Sequence, residues 1–573
     1  ESEVRNFLQC LPYISQLRCS EKLTACLSKA VVENAEDTEL VKAFFAATDS
    51  IFIIDWVLST RECRAVRKVL KVSDSNLKLT LTPRGISLRG LRLLFRYITH
   101  LQKLCLSGRV VQRMVQAFRA VRSGASVVID ELCMDLNSIT PNKTITYLSS
   151  LCSLLNIWTV HCVNLSECRI DAHSLISLMC HPGHLQIRLS KETLQQFTDL
   201  LYEVRDGELT HVFLEKMGGD LTSCSLSWEK LIHFLQQRVC RINVNIRKSK
   251  IKYNHARQIL PLLSEVQFKR LNPSVLLSVI REIYETRSAD CVSSLLSSTH
   301  SCINLSNTEV DSYHSTALHF TLQHSTSVCL NLLWTSIQEE DLMKILPLFN
   351  RVSQLSVDRV LLLKMLHCCS KSDLQKGAAT AVFSALKNRL DFSCSIGLDL
   401  TTETQDNVLY LSTEDCRDIS TAIQNSHQLT ELILKDCQIE DAALDLFFPV
   451  LHTVRMRKPL LLQFLALLRV VNESECVRHV RSLSQALDGE LDLSETPLDL
   501  HTYRSLALFL EFTEGLSELD LSHCKLSEHG LELLFPHLHK TAVLDLSHNA
   551  IDDYLAGRIY TIVSTSSNIQ TVR

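Results

Sequence analysis

Apolar positions along this chain follow two spacings in alternation. Six segments open with a pair at i and i+2: Leu79/Leu81, Val163/Leu165, Val244/Ile246, Leu330/Leu332, Leu432/Leu434 and Leu519/Leu521. That spacing puts both side chains on one face of a β-strand. Seven positions after each first residue comes another apolar one: Ile86, Ile170, Ile251, Ile337, Ile439 and Leu526. Groups at i, i+3 and i+4 follow: Leu91-Leu94-Phe95, Leu175-Leu178-Met179, Ala256-Ile259-Leu260, Leu342-Ile345-Leu346, Leu444-Phe447-Phe448 and Leu531-Leu534-Phe535. These mark one face of a helix. Each copy predicts a strand, a turn and a helix, both packing inward. Pro261, Pro347, Pro449 and Pro536 come next in four copies, Arg96 and Cys180 in the others. Proline lacks an N–H and ends or kinks a helix, so these helices should run about two to three turns.

The copies recur at about 87 residues, three units of about 29, so each is the well-formed member of a triplet. The weaker strands are placed at Ile51-Ile53, Val127-Ile129, Val212-Leu214, Ile303-Leu305, Leu409-Leu411 and Leu491-Leu493. A third set falls at Leu104-Leu106, Leu185-Ile187, Val266-Phe268, Val454-Met456 and Leu544-Leu546. The longest interval between copies implies an exposed loop around Gly397 to Asn407, a polar stretch.

The sharpest copies are Leu429-Thr-Glu-Leu432-Ile-Leu434-Lys-Asp-Cys437-Gln-Ile439 and Leu516-Ser-Glu-Leu519-Asp-Leu521-Ser-His-Cys524-Lys-Leu526. Both fit L-x-x-L-x-L-x-x-N/C-x-L at every fixed position; Thr541 to Ile551 fits with one weak position. This pattern resembles the ribonuclease-inhibitor type of leucine-rich repeat. The fold class expected is α/β, a horseshoe-shaped solenoid of about 20 repeats with an inner arc of roughly 95 Å. Parallel strands would line its concave face and helices its convex face. Residues 1–428 read as degenerate repeats and 429–573 as regular ones in one continuous array. The resemblance implies a backbone hydrogen bond from the Asn/Cys position after each strand. That position holds Cys168, Cys437, Cys524 and Asn549, but Arg84, Ser249 and Thr335 in the weaker copies.

Long, eroded arrays with Ser/Cys/His-rich copies also resemble the carboxy-terminal region of NLR innate immune receptors of the fish type. That resemblance implies a non-catalytic, cytoplasmic ligand-sensing or autoinhibitory region. Its partners would be proteins, with a NACHT-type nucleotide-binding region adjoining it outside this chain. The chain starts in mid-triplet and stops in what reads as another strand, so it is expected to be part of a longer protein. The alternative is a substrate-recruiting adaptor of the ubiquitin-ligase type or a ribonuclease-inhibitor-like protein inhibitor. An F-box-like module in the adjoining sequence would favour the adaptor, a phosphate loop the receptor.

Composition narrows the classes further. Lys plus Arg is 59 against 63 Asp plus Glu, a net charge of −4. This balance argues against a nucleic-acid partner. The 22 cysteines are too dilute for a disulfide scaffold and lie within apolar segments, which points to reduced thiols in the cytoplasm. The apolar run from Leu460 to Val471 is too short to cross a membrane. Two of the sequons, at Asn164 and Asn304, fall in predicted strands and read as chance matches. The chain contains no G-x-x-x-x-G-K-[ST], H-E-x-x-H, G-x-S-x-G or G-x-G-x-x-G, so the sequence names no catalytic, cofactor or metal site. His161, Cys162, Cys168, Cys180, His181 and His184 cluster, but not at zinc-finger spacing, and read as buried structural residues. Cys368-Cys369 reads as part of a helix.

Candidate partner contacts are the strand residues between the fixed leucines, which the resemblance places on the concave face. They are Ile433, Lys435 and Asp436; Asp520, Ser522 and His523; Asp545, Ser547 and His548; and the apolar pair Leu333 and Trp334, a candidate hot spot. The alternative for Trp334 is burial against the inserted loop. Arg247, Lys248, Lys250 and Lys252 form a candidate anion patch, against the plainer reading of a solvated strand rim.

Overall fold

In the computed structural model, strands and helices alternate along the chain, and every strand pairing with an assigned register is parallel. The structure describes residues 7–573 except 9, 15, 18–19, 74–75, 97, 120–126, 137–140, 248–252, 372–375, 394–407, 435–436, 457 and 469–472. Contacts group the chain into two units, Glu1–Ser249 with Pro261–Arg270, and Lys250–Leu260 with Leu271–Arg573. The sequence division after residue 428 marks repeat regularity rather than contact.

The first unit holds a six-stranded sheet whose strands lie side by side in chain order: Ile51–Ile54, Lys78–Leu81, His100–Ser107, Val128–Asp135, Thr159–Leu165 and Gln186–Leu189. Helices such as Thr60–Val72, Leu88–Phe95 and Gly108–Arg119 connect them, the crossover a parallel pair requires. Phe52, Leu79, Leu104, Leu132, Val163 and Ile187 are register partners across the whole sheet, none more than 2% exposed. This apolar row is the spine of the core. The edge strand Ile51–Ile54 is covered by the helix Glu21–Glu33, whose Ser28 Oγ accepts the Ile53 N–H at 3.2 Å.

The second unit repeats the scheme in three sheets. They are Cys302–Asn304, Val328–Leu332 and Val352–Val357; Arg389–Asp391, Thr430–Ile433 and Val454–Met456; and Glu490–Asp492, Leu516–Asp520, Thr541–Asp545 and Thr571–Val572. Two short parallel pairs, Glu309–Val310 with Ser336–Ile337 and Leu409–Leu411 with Cys437–Ile439, sit just after the main strands.

All the helix-face positions read from sequence are buried, from Leu91 to Phe535. The prolines do not simply stop the helices. At Leu260–Glu265, Leu346–Arg351 and Asp445–Thr453 the chain tightens into 3₁₀ turns that contain Pro261, Pro347 and Pro449. Pro261 and Pro347 fall in the first turn, where a missing N–H has no intrahelical partner to lose, whereas Pro449 lies inside its 3₁₀ segment.

Four strand assignments change, besides register shifts in three others, where Phe52, Ile187 and Met456 rather than Ile51, Leu185 and Val454 face Leu79, Val163 and Leu432. Val212 to Leu214 lie in the helix Gly207–Met217, capped by Asp206, which accepts the N–H groups of Glu208 and Leu209. Phe213 and Leu214 are both buried there, a helical pattern rather than an alternating one. The bridge forms instead at Asp220, against Asn243. It follows Gly219, whose φ of +70° and contact with the Arg241 carbonyl leave no room for a Cβ. Second, the residue in register with Leu104 and Val163 is Leu132, not Ile129. Third, the strand beside Thr430–Ile433 is Arg389–Asp391, while Leu409–Leu411 belongs to the second, shorter pair. Fourth, Val352–Val357 supplies a strand where none was assigned. The polar stretch 397–407 lies outside the described residues.

Candidate functional site

Six strands of the second unit end in the same local device. An Asp or Asn closes the strand and accepts the backbone N–H two residues on: Asn304 from Ser306 (3.0 Å), Asn331 from Leu333 (3.0 Å) and Asp391 from Ser393 (3.0 Å). Asp492, Asp520 and Asp545 accept likewise from Ser494, Ser522 and Ser547, each at 2.9 Å. Asp and Asn make this turn because their short side chains reach their own backbone. In five of these strands the following residue is left-handed: Asn307, Trp334, Glu495, His523 and His548, with φ between 54° and 59°. All five are exposed.

A side-chain donor then closes the turn onto the preceding strand. Thr335 Oγ1 donates to the Leu305 carbonyl at 2.9 Å, Cys437 Sγ to Phe392 at 3.6 Å, and Cys524 Sγ to Leu493 at 3.1 Å. Asn549 Nδ2 reaches Leu521 at 2.8 Å. In the first unit Cys168 Sγ donates to Met134 at 3.0 Å. Threonine at 335 is therefore an equivalent donor rather than a lapse in the pattern. These carbonyls sit where water is excluded, and an unpaired one would cost about 1–3 kcal/mol.

The candidate contact residues divide accordingly. Asp520 and Asp545 are committed to the turn, and the Ser547 hydroxyl and N–H, outweighing burial, hold the Asp545 carboxyl below its usual range. Ser522 and Ser547 are half-buried and supply the N–H groups those carboxylates bind. His523 and His548 project from consecutive turns and stack, ring centroids 4.2 Å apart and planes at 10°. Trp334 is 44% exposed, so it is not buried, and its backbone N–H donates to the Asp358 carboxylate at 2.9 Å. Leu333 is half-buried. Ile433 is a correction: it is 8% exposed and offers almost no surface to a partner. It occupies the position that holds Asp or Asn in those six strands, and an apolar side chain with no turn bond to make goes inward. Lys435 and Asp436 lie outside the described residues. Of the anion patch, Arg247 is exposed; Lys248, Lys250 and Lys252 lie outside the described residues.

The first unit presents a second feature that sequence reading missed. A groove of about 540 Å³ on the strand face is lined by Lys103, Cys105, Cys133, Asn164 and residues of the helix Glu21–Glu33. Glu131 stands beside it as a hub: Lys103 Nζ at 3.2 Å, Arg188 at 3.0 Å, Asn164 Nδ2 at 3.0 Å and Cys133 Sγ at 3.3 Å. Burial alone would raise its pKa, but the bonds from Asn164, Cys133 and Lys103 outweigh it and hold the carboxyl at about 2. The signal was available: the residues after the anchors Leu104 and Leu132 are both cysteine. Setting the second anchor at Ile129 hid it.

Of the histidine and cysteine cluster, Cys162 and Cys168 are buried, whereas His161, Cys180 and His184 are exposed. Among the described residues no group of three or more His, Cys, Asp or Glu is placed to hold a metal ion. All described cysteines are free. Cys368 and Cys369 are buried on the helix Arg359–Ser370, their thiols pushed up by burial to about 11 and 12. No helix among the described residues is long and apolar enough to cross a membrane. No protein-family model matches the chain, and no curated protein matches it.

Proposed function

We propose that this chain is a recognition scaffold built as a leucine-rich-repeat solenoid of the ribonuclease-inhibitor kind. In this reading it is the ligand-sensing or autoinhibitory region of an NLR-like innate immune receptor, cytoplasmic and without catalysis of its own. One observation carries the scaffold reading: Cys168, Thr335, Cys437, Cys524 and Asn549 each donate to the end of the preceding strand. A donor in the same place from residue 168 to 549 is what identical stacked units require. Exposed left-handed residues after the strands supply contact positions whose side chains the fold does not use. The receptor role rests on resemblance alone.

Site-specific photo-crosslinking in cells challenged with microbial components tests this. Crosslinkers at Trp334, His523 and His548 should capture a protein partner, while one at Tyr560, exposed on the helix Asp553–Thr565, should not. Capture from Tyr560 alone would reject the strand-side reading.

A further inference from the structure

Two thiols face each other on the strand face of the six-stranded sheet. Cys105 and Cys133 are register partners on adjacent parallel strands. Such strands lie about 4.8 Å apart, inside the Cα separation of roughly 4.4–6.8 Å that a disulfide spans. Both side chains are half-buried and line the groove of about 540 Å³, so a small solute can reach them. Lys103, one turn of the pleat before Cys105, lies in the same groove and is anchored to Glu131 at 3.2 Å.

We propose that Cys105 and Cys133 form a peroxide-reactive dithiol that closes reversibly into a disulfide between neighbouring strands. The Cys105 thiolate attacks one oxygen of hydrogen peroxide, and the O–O bond breaks. The departing hydroxide takes up a proton and leaves as water, and Cys105 becomes a sulfenic acid. Cys133 sulfur then attacks the Cys105 sulfur. The S–S bond forms, the S–O bond breaks, and the thiol proton leaves with the hydroxyl as a second water. Two thiols lose two electrons and one peroxide gains them.

The surroundings assign the roles. A hydrogen bond from Cys133 draws the Cys105 thiol below its usual range against the opposing effect of burial, with the Lys103 ammonium and the Thr80 hydroxyl assisting. The same bond to Cys105, then burial, holds Cys133 protonated, with its sulfur 3.3 Å from Glu131. Cys105 is thus the attacking group and Cys133 the resolving one. The molecule contains its own control. Cys302 and Cys329 are also register partners on parallel strands, but burial, reinforced by Cys329, pushes the Cys302 thiol up.

The test treats the reduced full chain with hydrogen peroxide at neutral pH and maps thiols over time by differential alkylation and peptide mass spectrometry. A Cys105–Cys133 cross-linked peptide, lighter by two hydrogens and reversed by dithiothreitol, should form about tenfold or more faster than any Cys302–Cys329 product. Cys133→Ser should leave a sulfenic acid at Cys105 that dimedone traps. Cys105→Ser should leave Cys133 reduced over the same interval. Equal rates at the two pairs, or oxidised Cys105 without a bond to Cys133 in the unsubstituted chain, would overturn the proposal.

Discussion

Replacing Asn549 isolates the worth of the donor that ties one turn to the strand before it. Its Nδ2 donates to the carbonyls of Leu521 at 2.8 Å, Leu546 at 2.9 Å and Ser547 at 3.3 Å, and its Oδ1 accepts the Leu526 N–H at 3.3 Å. Two of these bonds are short and two long. At about 0.5–1.5 kcal/mol per bond, weighted toward the short pair, Asn549→Ala should cost about 2–3 kcal/mol. Asn549→Cys should cost only about 1 kcal/mol, since Cys524 already serves the equivalent carbonyl of Leu493 at 3.1 Å one strand earlier. Hydrogen–deuterium exchange on peptides covering 516–551 reads this directly. Opening there should accelerate about 30- to 160-fold for alanine and about fivefold for cysteine. Peptides covering 51–107 should not change, because they belong to the other contact unit. Alanine within twofold of the parent chain, or cysteine as fast as alanine, would refute the argument.

Leu521→Asp buries an unpaired carboxylate at a position with 0% exposure and should lower the urea midpoint by the equivalent of about 4 kcal/mol or more; an unmoved midpoint rejects the strand register. Trp334→Ala should cost less than the roughly 3–5 kcal/mol of a fully buried tryptophan, because the residue is 44% exposed; a loss of that full size in the same urea titration would mean that the ring is packed. Glu131 has a folded pKa near 2 against an ordinary 4.5, so its contribution is fully present above pH 4.5 and disappears as pH falls toward 2. The stability gap between the parent chain and Glu131→Gln should close over that window. A gap unchanged from neutral pH to pH 2 would contradict the network.

The spine of the fold was legible because buried leucines repeat with the periods of strand and helix, and burial leaves little freedom in residue type. Leu432, Leu519 and Leu544 sit in parallel strands as read, Leu519 in register with Leu544. What escaped was register in the weaker units. Ile129 and Leu132 are both fully buried, and spacing alone cannot say which one faces Leu104 across a strand gap. The insertion hid Arg389–Asp391 because it separates that strand from its own second pairing segment, Leu409–Leu411. The candidate contacts were half legible. Solvent-facing strand positions can be counted from the leucines, but whether an Asp is offered to a partner or spent on its own turn depends on a backbone N–H two residues away. The same limit applies to Asn164 and Asn304, whose amide oxygens accept from Ser166 and Ser306 at 3.0 Å.

The left-handed residues Asn307, Trp334, Glu495, His523 and His548 have a consequence for how such a chain diversifies. Their conformation disfavours β-branched residues and costs each L-residue roughly 1–2 kcal/mol, which the flanking turn bonds offset through main-chain atoms and the neighbouring Asp, Cys, Thr or Asn. An amide, an indole, a carboxylate and two imidazoles already occupy equivalent places. Mutation at these points can therefore rewrite what the surface displays, one unit at a time, while the architecture beneath stays the same.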